Sequence, residues 1–405
     1  MAFFRNSAVN LLNLHYGLHC ITLYGGGAFF LVYLLKAGLS VPGVLVSLAL
    51  ILVGRFAVRP LVIPLAARWG LRAILIAGTL LSALQYPVVA EVHGVGIVLL
   101  ALIAVAAVGD MLYWTAYHAY FAALGDNEFR GHQIGAREAI AAVVGILSPV
   151  FAGWILVAFG PRAAFGATSI ITALAAVPLL GTPKVCVARH VPGSPALNTP
   201  GTLVFMADGW FAVGFCFAWG LALFLSLGES FLAYGGALAV SGLVGAIGGL
   251  TLGRHIDAGH GKRAVWFAVL VMAIIILLRA IATGHTAFAV LANALGALGA
   301  CVYIPTVMTA VYTMAKRSPC TLRFHVATEG GWDAGGAAGL LIAATATEFA
   351  LPLGGSILLS LAGLAAIAIL LRRYYAESDR LDLGPVSSAS AAPAARQFSA
   401  AIQPP

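Results

Sequence analysis

Residues 101–124 read ALIAVAAVGDMLYWTAYHAYFAAL, an apolar run of membrane-spanning length with one acid, Asp110, near its middle. A carboxylate at the centre of a membrane helix costs about 2.5 to 3.5 kcal/mol to insert, so it faces a bundle interior, a watery cavity or a partner charge. Tyr113, Trp114, Tyr117, His118 and Phe121 follow at helical spacing and share the face of Asp110. Two readings of that stripe stand: the wall of a cavity, or ordinary interhelical packing around a structural ion pair.

The rest of the chain has the same character. Of 405 residues 61% are hydrophobic and only 9% charged, and the mean hydropathy is +0.99. A water-soluble fold has no place for so much apolar surface. The net charge of +8 would suit nucleic acid only if a hydrophilic basic domain carried it, and none is present. Five scattered cysteines without a CxxC indicate neither a disulfide framework nor a zinc ribbon. The first apolar run lacks a small-residue cleavage site and reads as a retained helix.

Counting apolar runs against the roughly 20 residues a crossing needs gives twelve spans: 13–36, 42–66, 72–91, 95–124, 134–159, 162–182, 201–228, 231–253, 263–283, 286–314, 326–348 and 352–373. The expected organisation is an N-terminal six-helix bundle (1–182), a proline-rich cytoplasmic linker (183–200), a C-terminal six-helix bundle (201–375) and a disordered tail (376–405) rich in Ala, Ser and Pro. With both termini cytoplasmic, only Lys36, Arg162 and Arg279 of the 22 lysines and arginines fall outside. That bias orients the chain as a multi-pass protein of an inner membrane.

The halves echo each other. Arg130 and His132 follow the fourth span, and Arg323 and His325 follow the tenth. PLAARWGLRA (64–73) and GRHIDAGHGKRA (253–264) both join long apolar runs through glycine and basic residues, so two parallel six-span repeats are the economical arrangement.

From residue 10 to 375 the sequence resembles the major facilitator superfamily. That family's loop between its second and third helices reads G-x-L-A-D-R-x-G-R-R. Leu65, Ala66, Arg68, Gly70 and Arg72 match, while Ile63 replaces the first glycine and Ala67 the acid. The second half keeps Gly253, Asp257, Gly261, Lys262 and Arg263. The resemblance implies that these loops gate the cytoplasmic helix ends, with Asp257 and nearby arginines as the stronger latch. VVGILSPVFAGW (143–154) is similar to the G-P-x-x-G-G run of family antiporters, Pro149 and Gly153 matching and Ser148 and Ala152 replacing glycines. The fourth-span arginine of similar drug and proton antiporters is absent. The implied fold is all-α, twelve transmembrane helices in two bundles related by a pseudo-two-fold axis, with a cavity lined by helices one, four, seven and ten.

Those helices supply the candidate site. His15 and His19 share a face of the first span and could relay protons or, with carboxylates, hold a divalent metal. Asp208 lies in the seventh span beside Trp210, and the tenth offers Asn293, Tyr303 and Pro305. Glu329 and Asp333 share a face at the start of the eleventh, as a coupling pair or as acids favouring a helix N-terminus. Arg55 and Arg59 are four apart in the second; Arg55 sits deep enough to partner a buried acid, and snorkelling to the cytoplasm is the simpler account of both.

No P-loop, GxSxG or HExxH is present. The chain reads as a secondary transporter rather than an enzyme, without a cofactor, monomeric in the lipid bilayer. It exports a small molecule by alternating access in exchange for protons. Asp110 binds the proton or a cationic group, and Tyr113, Trp114, Tyr117 and His118 contact the substrate. A divalent-metal exporter using His15, His19 and Asp110, and a non-transporting receptor or assembly component on a transporter scaffold, are the alternatives.

Overall fold

The computed structural model describes the chain except residues 1–5, 126–129, 189–190, 192–193, 257–260 and 381–405, with backbone alone at 130–138, 194–197, 250, 252–256, 261–263 and 377–380. Twelve helices cross the bundle: α1 (Ser7–Lys36), α2 (Val41–Trp69), α3 (Leu71–Ala90), α4 (Ile97–Leu124), α5 (130–159), α6 (161–180), α7 (Asn198–Ser226), α8 (Phe231–Ile256), α9 (Gly261–Ala282), α10 (Thr286–Arg317), α11 (Thr321–Glu348) and α12 (Leu353–Ala376). Two places in this set have a local physical cause. Ala139–Leu180 is one 42-residue run, but Gly160 at φ 79° leaves helical space just before Pro161 and breaks it into α5 and α6. The α11 sequence is too polar to qualify by hydropathy, because it packs against α2 and α7 rather than lipid.

Several elements begin earlier than expected, the fifth helix at Arg130 rather than 134 among them. The first helix starts at Ser7, not 13, capped by the Asn6 side chain. The eleventh starts at Thr321 rather than 326. The last residues assigned to the linker belong to the seventh, whose helix starts at Ser194 and carries Pro200 inside. Proline interrupts a soluble helix, but inside a bundle neighbouring helices compensate for its missing N–H. Beyond 380 the expected tail lies outside the described residues.

Lipid as solvent explains the exterior, where Phe56, Leu84, Leu100, Phe159, Ile170, Phe267, Leu270 and Ile281 are all exposed. Inside, the helix pairs obey a two-fold rule. α5 packs on α8 as α11 packs on α2, α1 on α6 as α7 on α12, and α3 on α4 as α9 on α10. The α5–α8 and α2–α11 pairs join the two six-helix halves.

Glycine makes those joints close. A Cβ on Gly153 of α5 would stand 2.7 Å from the Phe231 carbonyl, and one on Gly242 of α8 would stand 2.8 Å from that of Gly145. Pro149 lies in the same contact, its carbonyl against Gly235. Such small-residue faces let backbones approach where no hydrophobic effect drives association. Gly153→Ala is therefore expected to cost about 1–3 kcal/mol by overpacking, whereas Gly236→Ala, which meets open space on the partner helix α8, leaves the detergent melting temperature unchanged.

At the end of the bundle bearing the α1–α2 turn, Lys36 pairs with Glu229 of the α7–α8 turn at 2.8 Å. Glu229 holds a left-handed φ of 58° to do so. Both side chains are exposed, so the clasp contributes only about 0–1 kcal/mol. Nearby, Arg162 donates to Glu91 at 2.6 and 2.9 Å and holds that carboxyl below the usual range.

Candidate functional site

Between α2 and α11 two four-residue spacings face each other. Arg55 and Arg59 stand one turn apart on α2, Glu329 and Asp333 one turn apart on α11, and the pairs interlock. Arg55 Nε lies 3.0 Å from Asp333 Oδ1, and its Nη2 lies 3.6 Å from Glu329. Arg59 Nε donates to Asp333 Oδ2 at 3.1 Å, its Nη2 meets the same oxygen, and its Nη1 donates to Thr115 of α4 at 2.9 Å. Arg55 also lies over the Trp332 ring, 5.6 Å from its centroid. Asp333 is completely buried, Arg59 2% exposed and Arg55 7% exposed.

Neither arginine snorkels, because a fully buried acid from the other half pairs with both and Glu329 supplies the second negative charge. Nor is Glu329 near a helix N-terminus. With α11 starting at Thr321, it lies more than two turns inside.

Asp110 sits beside this network. It is half-buried and within electrostatic reach of Arg55, Asp333 and Tyr86. Gly109 and Gly78 bring α3 and α4 close enough to set its position. Among the described residues this region holds three acids (Asp110, Glu329, Asp333) against two bases (Arg55, Arg59). One carboxylate is in excess.

The aromatic stripe divides. Tyr113 and Tyr117 are each 1% exposed and pack on α1. The Tyr113 ring stacks on His19 at 3.9 Å and the Tyr117 ring on Tyr16 at 5.1 Å. Trp114 and His118 remain partly accessible, and His118 stacks across the two halves on His325 at 5.6 Å. His15 Nδ1 bonds the Ala175 carbonyl at 2.6 Å. Its Nε2 and both nitrogens of His19 are buried without a hydrogen-bond partner among the described residues. The two rings lie 6.1 Å apart. Asp110 does not join them, and no group of three His, Cys, Asp or Glu residues among those described is placed to hold a metal.

In the other half, Asp208 accepts from Tyr303 Oη at 2.5 Å and from Trp332 Nε1 at 3.1 Å. Arg279, counted by sequence as an outer-loop base, is instead buried at the end of α9. It donates to the Phe215 carbonyl at 2.6 Å and lies against the Phe215 and Trp219 rings. That carbonyl belongs to a π-helical stretch of α7, Val213–Ala218, whose altered ladder the guanidinium caps.

Of the gating-loop candidates, Arg68 is exposed. Gly70 at φ 83° lets the Val185 carbonyl approach, and Leu71 N–H donates to that carbonyl at 2.8 Å. Arg72 donates to the Thr182 carbonyl at 2.6 Å, and Tyr120 bonds Thr182 and Pro183. The start of the linker thus braces a loop that lacks the acid at position 67. Asp257 lies outside the described residues, as do the side chains of Gly253, Lys262 and Arg263 and those of Arg130 and His132.

Arg55, Arg59 and Thr115 are the site residues that sequence reasoning undervalued. The available signal was the matched four-residue spacing of bases on α2 and acids on α11.

The family model described as "Major Facilitator Superfamily" matches residues 16–231, more than half of the chain. Among curated proteins none matches. Of solved structures, the human organic anion transporter MFSD10 superposes with TM-score 0.67 at 16% identity, over 90% of this chain and 99% of that one. An auto-inhibited POT family peptide transporter gives 0.67 at 11%, over 92% and 97%. The E. coli fucose:proton symporter FucP gives 0.63 at 15%, over 90% and 98%. At these identities the likeness concerns the fold.

Proposed function

The chain belongs to the major facilitator superfamily of membrane transporters, and from that premise we propose that it exports a small molecule in exchange for protons, with Asp110 as the proton-carrying group. The observation that carries this reading is the unpaired charge: three acids and two arginines meet in a buried network that joins the two halves. An excess carboxylate in an apolar interior is tolerated only with a compensating proton or cation.

When Asp110 is protonated, Arg55 belongs wholly to Asp333 and Glu329, and the α2–α11 clasp is at full strength. When the proton leaves, Asp110 competes for Arg55 and the clasp loosens. Proton and solute then bias the same two states through their differential affinities. Proton symport is named for one structural neighbour, FucP, which makes proton coupling a natural use of this fold. The direction, export, rests on Pro149 and Gly153, which resemble the antiporter run and sit where α5 meets α8. The lysine and arginine distribution supports an inner-membrane protein with both termini in the cytoplasm.

A thermal-shift screen of detergent-purified protein against organic cations, organic anions, polyols and divalent metals at two pH values tests the reading. A ligand of the folded state raises its melting temperature by mass action. One class is expected to do so more strongly at the higher pH, where fewer protons compete. A ligand response independent of pH, or none from any class, contradicts proton exchange.

A further inference from the structure

We propose that Asp208 is the seat of an organic cation, so that the transported molecule carries an ammonium-type group and binds in the second half, apart from the proton on Asp110. This deepens the transporter reading and rests on it only for the word "transported".

Asp208 differs from the other interior acids in its partners. Asp333 is fully buried and takes two arginines, whereas among the described residues no basic side chain pairs with Asp208. Instead two neutral donors from different helices, Tyr303 Oη of α10 and Trp332 Nε1 of α11, bond one oxygen each. The carboxylate is thereby held in one orientation, and it stays partly accessible. Its two donors carry aromatic rings, and further rings back them: Phe211 lies 4.8 Å from the Tyr303 ring and 4.9 Å from that of Phe215, and Phe217 stands edge-on to Trp332 at 6.3 Å, while the Phe215 ring is also covered by Arg279 at 4.1 Å. An oriented carboxylate bordered by the Tyr303 and Trp332 rings is complementary to a desolvated ammonium, which gains the charge and a ring quadrupole. An anion there meets like charge, and a neutral polyol gains neither.

The π-helical stretch adds a probe. A π turn inserts an extra residue, so Cys216, eight positions after Asp208, returns to nearly the same face. Its thiol is free and exposed, within electrostatic reach of Asp208 and of Arg279. Arg279, although bonded to the Phe215 carbonyl and covered by two rings, acts on the thiol more strongly than Asp208 does, so the carboxylate's share is read as the difference between the wild type and Asp208→Asn.

Charge-selective thiol modification tests this without a known substrate. Purified protein is treated with the trimethylammonium-ethyl or the sulfonato-ethyl methanethiosulfonate. The thiolate attacks the reagent's sulfenyl sulfur, a disulfide forms, methanesulfinate leaves, and the thiol proton passes to buffer. Peptide mass spectrometry reads Cys216, with exposed Cys186 of the linker as internal reference.

The cationic-to-anionic rate ratio at Cys216 is expected to be about tenfold or more higher in the wild type than in Asp208→Asn, because the carboxylate attracts the cationic reagent and repels the anionic one. Benzyltrimethylammonium should slow Cys216 modification, while benzyl alcohol and phenylmethanesulfonate should not. In Asp208→Asn the ratio at Cys216 should fall while that at Cys186 stays as in the wild type. Should that variant fail to fold, the protection pattern of the wild type decides alone. An unchanged Cys216 ratio in a folded Asp208→Asn protein, or protection by the sulfonate or the alcohol, overturns the proposal. Because no flux is read, a failure here leaves proton exchange standing, and a failure of exchange leaves the cation seat standing.

Discussion

Asp333→Ala is expected to cost about 3–5 kcal/mol of stability, the penalty for leaving buried charge unpaired. The removed carboxylate is the shared partner of Arg55 and Arg59, and at 7% and 2% exposure neither arginine can reach water without rearrangement. Glu329 makes one longer contact, 3.6 Å to Arg55, and is partly accessible. Glu329→Gln is therefore expected to cost under about 1 kcal/mol. Replacing Arg55, Arg59 and Asp333 together by Met, Met and Leu should recover most of the loss, since apolar substitutes of similar volume often match a buried ion network. Unfolding midpoints in detergent rank the variants. An Asp333→Ala protein as stable as wild type would show that the arginines find another partner and that the clasp is not what joins α2 to α11.

The second large effect falls on transport. Asp110→Asn keeps the shape of the side chain but fixes it in a neutral state, so Arg55 never has a competing acid. Exchange should lose its pH dependence. The coupling between proton and solute, about 5- to 150-fold for a coupling energy of 1–3 kcal/mol, should fall to unity. Stability should change little, because Asp110 holds no ion pair within bonding distance among the described residues. This separation of effects distinguishes a coupling residue from a structural one.

The fold was legible because lipid leaves a strong mark on sequence. Apolar runs of crossing length revealed all twelve helices, α11 included, although glycines and acids dilute its hydropathy. EGGWDAGGAAG at 329–339 is polar because that helix faces α2 and α7. The site was only partly legible. Asp110 and Asp208 announced themselves as isolated acids, and Glu329 and Asp333 as a spaced pair. Arg55 and Arg59 were read as snorkelling because a single sequence does not say which helix of the other half lies opposite, and pairing across halves is a tertiary fact. The stripe on α4 was visible as aromatic residues at helical spacing. Periodicity could not say that Tyr113 and Tyr117 would be taken up by α1 while Trp114 and His118 stayed accessible. Arg279 was misplaced because three residues from a helix end looks like a loop, whereas its side chain turns inward to the π-helical stretch of α7.

Proton exchange is tested most directly in proteoliposomes that enclose a pH-sensitive dye and are loaded in turn with an organic cation, an organic anion or a polyol. Diluted into solute-free buffer, vesicles bearing the wild-type protein should acidify inside with one of these classes, as outward solute flow draws protons in. Vesicles bearing Asp110→Asn should hold their internal pH. Acidification of equal rate in both, or none with any class, would contradict proton exchange at Asp110.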